Sequence, residues 1–136
     1  LKIGETIHIP SCCYEIEEYI HGPNLQLTPQ YNVIFFDGND GASRRVEQVY
    51  KATRKVSNRA YLISNNPQLS SDDHVLSLSD TVSSELCPLV YLPFVQLLSF
   101  IVSNDLHSIY QHPLLKEFKA IAAAKTENFV NYDGDD

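Results

Sequence analysis

Apolar runs alternate along this chain with stretches of helical spacing, and together they predict its elements. The runs Tyr31 to Phe36, Ala60 to Ser64 and His74 to Leu78 read as short strands. A continuous apolar strand is the mark of burial on both faces, as in a parallel sheet. Between the first two, Val46, Val49, Thr53 and Val56 keep helical spacing and predict a helix over 42–56. Leu86 to Asn104 predicts a long buried helix, and Ser108 to Ala124 a second, more polar one. Toward the start, residues 1–6 read as the last turns of a helix. Ile7 to Cys13 reads as a short strand, placed at an edge or bend by Pro10. Tyr14 to Ile20 reads as a short helix that stops at His21-Gly22-Pro23. Strands alternating with helices give an α/β fold: a doubly wound, mainly parallel sheet flanked by helices, with Leu97, Leu98 and Ile101 buried.

Composition narrows the class. With 136 residues the chain is one domain, large enough for a real core. A net charge of −7 argues against a nucleic-acid surface, which wants clustered cations. Arg44, Arg45, Lys51, Arg54, Lys55 and Arg59 do gather, but Glu47 four residues before Lys51 marks a solvated helix face. Cys12, Cys13 and Cys87 are odd in number and lack a Cys-x-x-Cys, which disfavours a disulfide framework or a zinc site. A reduced cytoplasm fits, with Cys12 and Cys13 as small buried hydrophobes. The stretch Leu86 to Val102 is interrupted by Pro88, Pro93, Gln96 and Ser99, so a buried helix is expected there and no membrane partner. Asp37-Gly38-Asn39-Asp40-Gly41 has neither calcium-loop nor dinucleotide-loop spacing and reads as a strand-to-helix turn. The opening inside a helix, with no methionine in the chain, suggests the C-terminal half of something about twice as long.

One pair of residues carries candidate chemistry. Glu5 offers a carboxylate able to take a proton from carbon beside a carbonyl. His21 offers an imidazole able to open a sugar ring by giving and taking protons between oxygens. On chemistry alone the ordinary readings come first: Glu5 as a solvated helix-end residue and His21-Gly22-Pro23 as a helix stop. His8, His74, His107 and His112 share no metal-site spacing.

The surrounding residues add a resemblance. Leu1-Lys2-Ile3-Gly4-Glu5, then Tyr14 through His21-Gly22-Pro23, then Cys87-Pro88 through Pro93-Phe94-Val95-Gln96-Leu97-Leu98-Ser99-Phe100 stand in order. This sequence resembles the second sugar-isomerase (SIS) domain of phosphosugar isomerases, fructosamine-6-phosphate deglycases and the isomerase half of glucosamine-6-phosphate synthase. The resemblance covers most of the chain, with residues 1–127 as the domain, 128–136 as an acidic tail and a first SIS domain expected upstream. It implies Glu5 as the carbon base and His21 as the ring-opening group, reaching the site of a neighbouring subunit. It implies a homo-oligomer acting on a phosphorylated sugar or fructosamine 6-phosphate in the cytoplasm, with no cofactor. A tail lysine is implied too: Lys125 by its neighbours, or Lys119 by simple counting from Gln96. Lys2 matches a substrate-binding lysine of the synthases, whereas Gly4 stands where they have another. The family's Ser/Thr-rich phosphate loop has no match here, so the chain alone is expected to be a poor catalyst. Three readings stay open: isomerase or deglycase half, synthase isomerase half, and a non-catalytic sugar-phosphate-binding module.

Overall fold

A computed structural model describes residues 2–78, 82–107 and 121. The chain divides into two units, one of residues 11–98 and one combining 1–10 with 99–136. In chain order the elements are α1 (Lys2–Ile7), α2 (Ile16–Ile20), β1 (Val33–Phe36), α3 (Ser43–Arg54), β2 (Ala60–Ser64), β3 (Val75–Ser77) and α4 (Cys87–Leu106).

Residues 11–98 hold a three-stranded parallel sheet in the order β1-β2-β3, so the fold is of the broad α/β class. Val33 pairs with Ala60 and Phe36 with Ile63, and Leu62 pairs with Val75. Successive strand residues point to opposite faces, which splits the core in two. On one face Phe35, Ala60 and Leu62 meet Val46, Val49 and Tyr50 of α3, with Ile16, Tyr19 and Ile20 at the margin. The amphipathic spacing of α3 does this: its buried residues are Val46, Val49, Tyr50 and Thr53, and its charges lie outside. On the other face Ile63 and Ile34 meet Cys87, Tyr91 and Phe94 of α4. Those three recur at helical spacing, so only one stripe of α4 touches the sheet. The two-sided cover is what a parallel sheet requires.

Several expectations change. Residues 7–13 form no strand: Ile7 closes α1, and the chain from 8 to 15 has no regular structure. Pro10 cannot donate to a ladder and restricts Ile9, and His8 takes a left-handed φ of 62°. Cys12 and Cys13 are exposed rather than buried; Cys87 is buried. Strand β1 is not buried on both faces, since Phe36 at its end is exposed. Leu97 and Ile101 are exposed and Leu98 is half-buried, against the expectation of a buried helix. The reason is that α4 is apolar all round while the sheet takes only its Cys87, Tyr91 and Phe94 stripe. With its leading turn, Ser84–Leu106 is long and apolar enough to cross a membrane by length and composition, a test that core helices also pass. The expected helix 108–124 and tail 128–136 lie outside the described residues.

Candidate functional site

Open α/β sheets hold their ligands beyond the carboxyl ends of the strands. In this chain that edge is built from Asp37 after β1 and Ser64, the last residue of β2. Apolar strands place both there, because the chain must turn where the apolar run ends. Asp37 is 6% exposed and Ser64 fully buried. The Ser64 hydroxyl donates to Asp37 Oδ2 at 2.7 Å, and Asn39 N–H donates to Asp37 Oδ1 at 3.0 Å. Ser64 Oγ in turn accepts from Asn66 N–H at 3.0 Å. The Tyr91 hydroxyl donates to the Asp37 carbonyl, tying α4 to the same corner. Burial pushes the Tyr91 phenol up, reinforced by a hydrogen bond with Cys87. Asn39 has a left-handed φ of 51° and donates from Nδ2 to the Val82 carbonyl at 2.6 Å. Asp40 Oδ1 accepts from Ala42 N–H at 2.8 Å, so the turn itself serves the start of α3. These groups are engaged with one another, and the corner reads as a fold-closing network.

The residues singled out from sequence sit elsewhere and are more open. Glu5 lies in the second half of α1 with its carboxylate exposed, 3.4 Å from the Lys2 ammonium. The structure thus brings together Lys2 and Glu5, two of the four candidates. His21 caps the C-terminal end of α2; its backbone N–H donates to Glu18 O at 3.2 Å and the residue is exposed. At the other end of α2, Glu15 Oε2 accepts from the N–H groups of Glu17 and Glu18 at 2.9 and 3.2 Å. That cap fixes the helix and, with it, the place of His21 at its other end. Gly22 does not take the left-handed turn of an ordinary glycine helix stop. Its φ of 170° is extended backbone open to any residue, and a Cβ there meets nothing within 4 Å. Lys125 and its rival Lys119 lie outside the described residues.

An open groove of about 350 Å³ lies between α2, the turn Pro23–Gln26 and α3. Tyr19, Asn24, Arg45, Val49 and Thr53 line it; His21 does not. Arg45 Nε is held by Glu17 Oε1 at 2.9 Å, which bridges α3 to α2 across one side. Among the described residues, no three His, Cys, Asp or Glu side chains gather closely enough to hold a metal ion. The sequence reading missed Asp37 and Ser64; the available signal was a polar residue at the end of each apolar strand.

No protein-family model matches this chain, and no curated protein matches it.

Proposed function

We propose that this chain is the second SIS module of a phosphosugar-processing enzyme, an isomerase of ketose and aldose phosphates or a fructosamine-6-phosphate deglycase. One observation carries the reading: the ordered landmarks Lys2-x-x-Glu5 and His21-Gly22-Pro23 place Glu5 within the short helix α1 and His21 at the C-terminal cap of α2, both exposed. A parallel sheet between helices is consistent with a doubly wound SIS fold. The unforced conformation of Gly22 adds support, because a glycine that local folding does not need suits close approach by another group.

In this reading Glu5 takes the proton from the carbon beside the carbonyl or imine and returns it to the neighbouring carbon, completing the tautomer shift. Lys2, 3.4 Å away, orients the Glu5 carboxylate until substrate arrives. His21 protonates the ring oxygen while a hydroxyl loses its proton, opening the sugar. A phosphate-binding loop comes from outside these residues, and the apolar side chains exposed on α4 belong to a subunit interface rather than a bilayer.

The test uses the intact cellular protein in D₂O with fructose 6-phosphate and with fructosamine 6-phosphate. Deuterium entering the carbon beside the carbonyl is the expected result. Binding without exchange moves the assignment to a non-catalytic sugar-phosphate module, and neither binding nor exchange overturns the SIS reading altogether.

A further inference from the structure

Cys12 and Cys13 are consecutive, both exposed, and lie in the stretch from 8 to 15 that neither helix nor strand holds in place. Cys87 is the opposite case: it is 2% exposed and packed with Ile63 and Tyr91. A thiol reacts through its thiolate and needs room for an approaching reagent in line with the sulfur, so burial silences Cys87. Tyr14 follows directly, and its phenol is raised above the ordinary value, first by its hydrogen bond with Cys12. Among the described residues, Glu15 and Glu18 follow without a paired cation, whereas Glu17 is paired with Arg45, so the neighbourhood of the two thiols is negative.

We propose that Cys12 and Cys13 form an accessible dithiol, a modification site for small cationic disulfides and for trivalent arsenicals. This inference does not depend on the function proposed above. With a disulfide, one cysteine thiolate attacks a sulfur of the reagent; a new S–S bond forms, the reagent's own S–S bond breaks, and one thiolate leaves with the electron pair. The mixed disulfide is the end product. Closure to a Cys12–Cys13 bridge is opposed because consecutive Cα atoms are about 3.8 Å apart, shorter than a relaxed disulfide spans. An arsenic atom lengthens the bridge and removes that obstacle. Phenylarsine oxide takes two thiols, forms two As–S bonds and releases one water.

The full chain is treated under native conditions with cystamine, which is cationic, and with glutathione disulfide, which is anionic, and the adducts are located by mass spectrometry. Adducts are expected at Cys12 and Cys13, faster with cystamine, the difference shrinking as salt is added. Cys87 is expected to react only after denaturant. Phenylarsine oxide is expected to bind one per chain, and binding should be lost in both C12S and C13S while C87S retains it. Native labelling of Cys87 ahead of the pair overturns the proposal. So does arsenical binding that survives C12S or C13S, or a faster reaction with glutathione disulfide.

Discussion

The carboxyl edge of the sheet and the ends of the first two helices carry the same kinds of polar group in opposite states. At the sheet edge, the Asp37 carboxylate takes two hydrogen bonds, one from buried Ser64, and the Asp37 carbonyl takes a third from Tyr91. At the helix ends, Glu5 meets an exposed lysine and His21 is an exposed cap residue. A buried polar group must find a partner inside the protein, because losing water costs more than a single bond returns. An exposed one keeps its water and can exchange it for a substrate. Position at a strand end therefore does not by itself mark a catalytic group. What separates the two regions is whether the side chain's capacity is already used.

The strongest way to break this contrast is Glu5→Gln. On the proposed function it leaves folding unchanged and lowers turnover by about 10² to 10⁴, the usual worth of a positioned general base. Steady-state turnover of the intact protein, beside its melting temperature, checks both halves. Near wild-type turnover sinks the acid–base assignment. The matching change inside the fold is Leu62→Ala, at a residue 1% exposed between Phe35 and Val49. It is expected to cost about 2–5 kcal/mol in denaturant unfolding. Together the two variants should separate activity from stability in opposite directions.

At the network itself, Asp37→Ala removes the acceptor of the buried Ser64 hydroxyl and of the part-buried Asn39 N–H. The expected loss is about 1–3 kcal/mol, while Asp37→Asn, which keeps an acceptor in place, should lose less. Equal losses for the two variants, read from urea midpoints, would mean that the corner is wet and the contrast with the helix ends is lost.

Much of the sheet was legible in the sequence, and particular residues show why. Strand β2 occupies 60–64 as its apolar run predicts, because Leu62 and Ile63 each have a covered face to fill. Helix α3 was legible because its amphipathic spacing states both where it packs and which side stays wet. Helix α4 gave no such information. A helix apolar all round fits a core, an interface and a bilayer equally, so the exposure of Leu97 and Ile101 could not be read from it. The stretch 8–15 misled because apolar residues imitate a strand, whereas Pro10 and a left-handed His8 exclude pairing. For the candidate residues, the sequence showed a carboxylate at Glu5 and an imidazole at His21, but not what either one contacts. The Lys2–Glu5 pair and the Glu15 cap depend on helix registers one residue at a time.

A gentler test uses acid. The Asp72 carboxyl is held below its ordinary value, first by the His74 backbone N–H at 2.9 Å and then by the Tyr50 hydroxyl at 2.8 Å. A group whose folded value is depressed adds stability above its unfolded value of about 3.9, and that stability is lost as pH falls through the folded value. Melting temperature should therefore drop as the solution is acidified below pH about 4. Asp72→Asn should lower the neutral-pH melting temperature and flatten that acid limb, with the two proteins converging at the lowest pH. Parallel curves would show that Asp72 is not responsible.

The smallest effect belongs to the ion pair that bridges the two helices over the groove. Arg45 and Glu17 meet at 2.9 Å, yet their side chains remain 43% and 52% exposed. Water already solvates both charges, ordering two long side chains costs entropy, and salt screens what remains. A double-mutant cycle with Arg45→Gln and Glu17→Gln is expected to give a coupling of about 0.2–1 kcal/mol, fading toward zero in 1 M salt. Its smallness is informative because this pair has as short a contact as many buried bonds at the sheet edge. If the coupling instead matches the Asp37 loss and resists salt, the groove side of α2 is as closed as the sheet edge. The distinction drawn from exposure would then have to be abandoned for this part of the molecule.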